Sequence, residues 1–231
     1  MPLDILALLA RADELYRQRA SASLVRESVT LLTAAVDGAK RFEVQWRLAR
    51  SLFFLGQQAE SRGAKLQLHA SGVGTGLRAV ELSPDRVESR FWLGVNLALF
   101  AEAAGGLRAA RAVLRARKEL KRAASLDEAY HGGGPLRVLG RLEHKAPWFI
   151  GGSRSRSRVY FERALALAPT NSVTALYAAE LAQDSGRRDD AVRLLERIID
   201  APIDPDWEFE NLRDRKRAAA LLERLNAGRR A

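Results

Sequence analysis

A helix, a turn, a second helix and a proline recur along the chain, and the most complete copy is PWFIGGSRSRSRVYFERALALAP, from Pro147 to Pro169. It reads as a helix end, a turn at the Gly-Gly pair, a helix capped by Ser153 and a stop at Pro169. Glycine closes helices, serine caps them and proline cannot continue them. The stretch is therefore typical of the second half of a helical hairpin, and copies of it predict an array of helices.

Weaker copies lie on both sides of this stretch. The positions taken as equivalent on the second helix of each copy are separated by 44, 44, 41 and 34 residues, and they are Ala35, Ala79, Ala123, Ala164 and Ile198. The longer spacings predict elongated helices or longer turns in the earlier repeats. We expect a single domain with an N-terminal helical pair, four repeats and a capping C-terminal helix, over residues 1–40, 41–86, 87–130, 131–170, 171–203 and 204–231.

The pattern of each copy resembles a tetratricopeptide repeat: a small residue where two helices touch, a glycine at the turn, alanine and an aromatic residue on the second helix, then proline. The hydrophobic content of 47% supports a sizeable core. The predicted fold is therefore all-α, with about four to five tetratricopeptide-like helical hairpins. They would form a curved array or a closed bundle that the last helix caps.

Several longer motifs resemble the T-component group of TRAP transporters (TatT), whose other members are periplasmic lipoproteins. They are ELYRQR, FEVQWRLAR, GGGPLRVLGRL, PWFIGGS, FERALALAPTN and DPDWEFE. The resemblance implies a helical bundle with a central cavity, and a homotrimer is one option for its assembly. It also implies a partnership with a substrate-binding protein for a small apolar or carboxylate ligand. The eukaryotic regulators of microtubule dynamics are similar to a lesser degree.

The chain contains no cysteine, which excludes disulfides, thiolate metal sites, a catalytic thiol and lipid attachment at an N-terminal cysteine of this sequence. Its first residues have only a short apolar run, preceded by Asp4 and no basic segment, which is not typical of a secretory signal. No stretch is apolar enough for a membrane span. We expect a cytoplasmic location for the chain as it stands, and a periplasmic one if a leader precedes it.

The first helix of each repeat is expected to line a concave groove. The residues predicted to face it are Trp46, Arg50, Phe53, Phe91, Arg137, Arg141, His144 and Glu180. Aromatic rings beside cations suit a ligand with an apolar body and a carboxylate end, or a peptide with a free carboxyl terminus. The alternative is that some of these residues only pack between long helices.

Basic residues form a stripe along the helix that precedes Ala123. Their spacing of three and four residues places them on one face, and they are Arg108, Arg111, Arg115, Lys118 and Arg122. The other side of that helix is predicted to contain Leu107, Ala110, Leu114, Leu120 and Ala124. The net charge of +10 favours acidic partners. The stripe is read as a solvated or subunit-contacting face, or else as a surface for nucleic acid or an anionic membrane.

No catalytic residue, metal site or cofactor is predicted. The segment from His131 to Gly134 resembles an oxyanion loop, but no G-x-S-x-G elbow accompanies it, so it reads as a turn before Pro135. The Gly-Gly pair lacks the lysine of a phosphate-binding loop, and the adjoining Ser-Arg run reads as a solvated helix face. The three histidines have no metal-ligand spacing.

These observations predict a non-enzymatic binding or scaffold protein. Its groove would take a partner protein, such as a solute-binding protein, or a small apolar carboxylate, in the role of a TRAP-transporter accessory subunit. The alternative is a basic surface that binds nucleic acid or anionic membrane. The salt dependence of binding would distinguish the two hypotheses, because binding driven by phosphate charge weakens steeply as the salt concentration rises.

Overall fold

The computed structural model describes residues 4–38 and 40–227, and within these ranges the chain forms eleven α-helices and no strand. The all-α prediction is confirmed. The helices are α1 (Ile5–Arg17), α2 (Ala22–Ala34), α3 (Arg41–Gln58), α4 (Arg62–Leu82), α5 (Val87–Ala104), α6 (Gly106–Leu126), α7 (Tyr130–Lys145), α8 (Arg154–Leu167), α9 (Ser172–Asp184), α10 (Arg188–Asp200) and α11 (Glu208–Ala227). Short 3-10 turns lie at Trp148–Ile150 and Pro205–Trp207.

The chain divides into two compact units, unit 1 (residues 1–127) and unit 2 (residues 128–231). In unit 1 consecutive helices pair as α1 with α2, α3 with α4, and α5 with α6. In unit 2 α7 pairs with α8 and α9 with α10, and α11 packs against α9 and α10. The helical hairpins predicted from the sequence are thus confirmed, whereas the single domain stays a prediction.

The extra length of the earlier repeats lies in their helices. Helices α4 and α6 each have 21 residues, whereas α8 has 14 and α10 has 13. At 1.5 Å per residue this difference amounts to about 10 Å of helix. The residues predicted to be equivalent on the second helices all lie in the core, and they are Ala35, Ala79, Ala123, Ala164 and Ile198.

Glycines allow the two helices of a hairpin to approach closely. A Cβ atom on Gly94 of α5 would lie 2.6 Å from Leu120 of α6, and one on Gly140 of α7 would lie 2.6 Å from the ring of Phe161 on α8. Any side chain at these positions would hold the helices apart. The predicted small-residue contacts within repeats are confirmed.

Left-handed backbone shapes the turns at both ends of α7. His131 has a φ of 53°, and the two glycines after it have φ values of 62° and 73°. The His-Gly-Gly-Gly segment is therefore the predicted turn that precedes regular helix. Unlike glycine, histidine adopts this conformation at a steric cost.

The second turn follows α7. Gly151 has a φ of 84°, and a Cβ atom on Gly152 would lie 1.8 Å from the carbonyl oxygen of Ala146. The oxygen of the Ser153 side chain accepts a hydrogen bond from the backbone at Arg156, so the predicted cap of α8 is confirmed. This tightly built turn leaves two large rings in solvent, Trp148 at 84% exposure and Phe149 at 70%.

The core of unit 1 contains a buried histidine. His69 of α4 is 2% exposed, and its Nδ1 lies 3.4 Å from the Oδ1 of Asn96 on α5. Burial lowers the pKa of His69 below its ordinary value of 6.5; the hydrogen bond to Asn96 opposes this shift, and the charge of Lys65 adds to it. The imidazole is therefore neutral at neutral pH.

Unit 1 is expected to lose stability in mild acid through His69. Because its folded pKa lies below 6.5, the unfolded chain binds the proton more readily, and stability decreases as the pH falls from 6.5 towards the folded pKa. The loss cannot exceed about 1.4 kcal/mol per pH unit for one group. Urea unfolding between about pH 7.5 and pH 5 would measure it.

A His69→Gln variant is the control, because its amide can still hydrogen-bond to Asn96 but does not titrate. The difference in unfolding free energy between the wild type and this variant should change with pH below 6.5. A difference that stays constant over this range would show that His69 does not cause the acid sensitivity.

Candidate functional site

A cleft of about 270 Å³ lies in unit 2, where the C-terminal end of α7 meets α9 and α11. Three helices supply its walls, and most of its side chains are charged. The lining residues are Lys145, Glu180, Gln183, Asp184, Arg217, Ala220, Leu221 and Arg224. Three cations face two carboxylates in this set, so the lining has a net positive charge.

Glu180 joins two arginines at this cleft. Its Oε2 accepts a hydrogen bond from Arg141 of α7 at 2.5 Å, and its Oε1 accepts one from Arg217 of α11 at 2.8 Å. The guanidinium of Arg141 also lies 4.4 Å from the ring centre of Tyr177. Glu180 thereby links α7, α9 and α11. It also occupies the position that a ligand carboxylate would take beside Arg141.

A second polar pair lies one turn further along α9. The Nε2 of His144 lies 2.8 Å from an oxygen of Asp184, and the Nζ of Lys145 lies 3.3 Å from the same oxygen. Burial lowers the pKa of His144, although its hydrogen bond to Asp184 opposes the shift. Burial alone would raise the pKa of Asp184, but the bond from His144 and the charge of Lys145 outweigh it and hold this pKa low. Neutral histidine therefore donates to an ionised carboxylate.

Arg224 is the cation of the cleft that forms no ion pair with a described carboxylate, whereas Lys145 pairs with Asp184 and Arg217 with Glu180. The Nε of Arg224 donates to the carbonyl of Ala220 at 3.3 Å, and within the described ranges its terminal nitrogens have no carboxylate partner. Arg217 lies seven residues earlier on the same face of α11, and its side chain is 51% exposed. Leu221 supplies an apolar contact between them. An anion in the cleft could pair with Arg224 and share Arg217 with Glu180.

The sequence predicts Arg141, His144 and Glu180 as groove residues, and they lie at or beside this cleft. It does not predict Arg217 and Arg224, which also line the cleft. The sequence pattern of α11 predicts only a capping helix. A signal was available, because two arginines seven residues apart share one helix face.

The structure corrects the placement of Arg137, the fourth predicted groove residue of unit 2. Its side chain is 5% exposed, and its guanidinium donates to the carbonyl of Gly132 at 2.9 Å and to that of His131 at 3.3 Å. It also lies 5.6 Å from the ring centre of Trp207. Arg137 bonds back to its own left-handed turn and is part of the core, where no ligand reaches it.

In unit 1 the predicted Trp46 and Arg50 belong to a closed cluster. Arg50 donates to Asp13 at 2.6 Å and lies 4.0 Å from the ring centre of Tyr16. Arg47 donates to the other oxygen of Asp13 at 2.9 Å and lies 4.2 Å from the ring centre of Trp46. These ion pairs and ring contacts tie α1 to α3, although the Nε of Arg50 is buried without a hydrogen-bond partner among the described residues.

The remaining groove residues of unit 1 pack against one tryptophan. Phe53 lies 5.4 Å from the ring of Trp92, and Phe91 lies 4.8 Å from the same ring. Phe91 is 2% exposed, which corrects its placement in an open groove. The long α5 is buried on several faces, so a position assigned by repeat register lies inside the unit.

The predicted basic stripe lies on the exposed side of α6, and Arg108, Arg111, Arg115, Lys118 and Arg122 are all exposed there. The predicted apolar side of this helix is partly wrong, because Leu107 is 66% exposed and Leu114 is 55% exposed. The side that packs into unit 1 contains Ala112, Val113, Ala116, Glu119, Leu120 and Ala123. Close packing against α5 favours alanine there, which turns the two leucines to solvent.

Two negative findings concern residues 4–38 and 40–227. Among them, no cluster of three or more histidine, cysteine or acidic side chains is placed to hold a metal ion. None of their helices combines the length and hydropathy needed to cross a bilayer.

The fold is shared with solved structures. TTC0263, a thermophilic TPR protein in Thermus thermophilus, is 20% identical and superposes with a TM-score of 0.67, over 90% of this chain and 97% of that one. MamA is 14% identical, with a TM-score of 0.54 over 95% of this chain and 99% of its own. At these identities the likeness shows the tetratricopeptide-type fold alone.

Family comparison gives a more specific result. A search of curated proteins finds no match. The family described as TRAP transporter T-component matches residues 77–227, which is more than half of the chain. This range contains all of the helices that form the unit 2 cleft. The chain therefore belongs to the TRAP transporter T-component family.

Proposed function

We propose that this chain is a non-enzymatic accessory subunit of a TRAP transporter, and that the unit 2 cleft binds the carboxylate of a small apolar ligand or of a partner protein. The observation that carries the proposal is Arg224, a cation in a charged cleft without a carboxylate partner among the described residues. An arginine with free terminal nitrogens is suited to bidentate binding of a carboxylate.

The size of the cleft supports a small ligand. Drug-sized ligands occupy pockets of roughly 300–1,000 Å³, and the volume of about 270 Å³ is just below that range. A short carboxylic acid fits this space, as does the last residue of a peptide. Ala220 and Leu221 would contact the apolar part, while Arg224 and Arg217 hold the charge.

The proposal has consequences for location and partner. An accessory subunit of such a transporter would act in the periplasm, where a substrate-binding protein delivers the ligand. The family description supports this role.

Replacing Arg224 with alanine is expected to weaken carboxylate binding by about 10- to 100-fold. The change removes a charged hydrogen bond of roughly 1.5–3 kcal/mol. Calorimetric titration with straight-chain monocarboxylates, from butyrate to octanoate, would measure it. The matching primary amides should bind poorly to the wild type, because they have no charge for Arg224.

Arg163→Ala is the matched control. Arg163 is an exposed arginine on α8, 50% accessible and paired with Glu128 outside the cleft. It should bind the carboxylates as the wild type does. If Arg224→Ala also retained wild-type affinity for a carboxylate that binds the chain, the cleft would not be the site.

A further inference from the structure

The exposed side of α6 combines basic and apolar residues in one surface. Leu107, Arg111, Leu114, Lys118 and Lys121 follow one another at spacings of four, three, four and three residues, and all of them are exposed. This spacing keeps them on one helical face. The leucines, at 66% and 55% exposure, lie opposite the alanine-rich side that packs into unit 1. We call these five residues the α6 face.

The positive charge of the α6 face is largely uncompensated. Within the described residues Arg111, Lys118 and Lys121 have no acidic partner. Glu119, the acidic residue of this helix, is 5% exposed and pairs with Arg90 at 2.6 Å. It therefore faces the interior of unit 1 and contributes little at the surface.

We propose that the α6 face binds the surface of an anionic lipid bilayer. The two leucines would enter the boundary between headgroups and acyl chains, while the three cations pair with lipid phosphates. Amphipathic helices that lie in the membrane interface have this combination of leucine and basic residues. Long basic side chains reach the headgroups while their stems remain near the apolar layer. This surface shares no residue with the cleft of unit 2, and the proposal does not depend on the function of that cleft.

The leucines distinguish a lipid surface from nucleic acid. Contact with a phosphate backbone gains from each cation but gains nothing from an apolar side chain at the centre of the face. In a bilayer the same leucines leave water, which is favourable. Loss of binding after removal of the leucines alone is therefore expected for lipid and not for DNA.

The experiment uses the full chain with phosphatidylcholine vesicles that contain or lack phosphatidylglycerol, separated by flotation. The wild type should float with the anionic vesicles only. The triple variant Arg111→Gln, Lys118→Gln, Lys121→Gln should bind them about 100-fold more weakly, since each basic residue near an anionic surface contributes to the affinity. The double variant Leu107→Ser, Leu114→Ser should also lose binding, while its helical content by circular dichroism stays that of the wild type.

A second triple variant removes the same net charge elsewhere: Arg17→Gln, Arg158→Gln, Arg193→Gln. These side chains are 67%, 55% and 69% exposed on other helices. It should float as the wild type does. A loss of binding equal to that of the α6 triple variant would overturn the proposal, because overall charge would then suffice. Unchanged flotation of the leucine variant would also overturn the proposal. So would a short DNA duplex that displaces the protein from the vesicles and binds the leucine variant with the same affinity as the wild type.

Discussion

Replacing Arg137 with methionine is expected to destabilise unit 2 by about 3 kcal/mol or more. Methionine keeps the apolar stem but removes a buried guanidinium that donates to two carbonyl groups, those of His131 and Gly132, and to the side chain of Asn171. Buried acceptors that lose a charged donor are costly. Burial lowers the pKa of Arg137 only to about 10, so the group is charged at neutral pH.

Hydrogen exchange would locate the effect of this change. Amides of α7, α9 and α11 should exchange faster, because Asn171 caps the N-terminus of α9 and the guanidinium also contacts Trp207, just before α11. Arg163→Met is the control, since its exposed pair with Glu128 is expected to contribute less than about 1 kcal/mol. Equal protection of these helices in the two variants would contradict a structural role for Arg137.

Replacing Gly72 with alanine is expected to destabilise unit 1 by about 3 kcal/mol. The new Cβ atom would lie 2.2 Å from the Oδ1 of Asn96. That amide cannot move freely, because its Nδ2 donates to the carbonyls of Ala49 at 3.0 Å and Trp92 at 2.9 Å. Overpacking and the loss of these buried bonds both contribute. Urea unfolding followed by circular dichroism would measure the change.

Gly74, two residues further along α4, provides a control of opposite sign. A Cβ atom there meets nothing within 4 Å. Gly74→Ala should therefore stabilise the helix by about 0.5–1 kcal/mol, since alanine is the better helix former. If both alanine variants shifted the unfolding free energy in the same direction, steric contact with Asn96 would not explain the loss at Gly72.

The hairpins could be predicted because their signals are local. Gly94 and Gly140 mark close helix contacts, and the cap at Ser153 needs only residues within its own turn. The same rule of small residues at contacts, applied to α6, would have selected Ala112 and Ala116 for the core instead of the larger leucines. The close approach of α5 and α6, more than side-chain size, determines which side of α6 is buried.

The cleft could be predicted only in part, because its pairs are distant in sequence. Arg141 and Glu180 are 39 residues apart, and His144 and Asp184 are 40 apart. Helical periodicity in the sequence assigns a residue to a helix face, but it does not predict which residue of another helix forms an ion pair with it. Arg137 and Arg141 share a face of α7, yet Arg137 is buried, because the left-handed turn at the start of α7 folds back over it. That turn depends on three consecutive residues with left-handed backbone, which helical periodicity in the sequence does not predict.

The glycine-built turn after α7 also affects how the protein behaves as a colloid. It holds the rings of Trp148 and Phe149 in water, at 84% and 70% exposure. Exposed aromatic rings favour hydrophobic association with the rings of other molecules. Electrostatic repulsion from the net charge of +10 opposes this association. Salt shortens the range of that repulsion, from about 10 Å at 0.1 M to about 3 Å at 1 M. Solutions of this protein should therefore become less stable as salt is added.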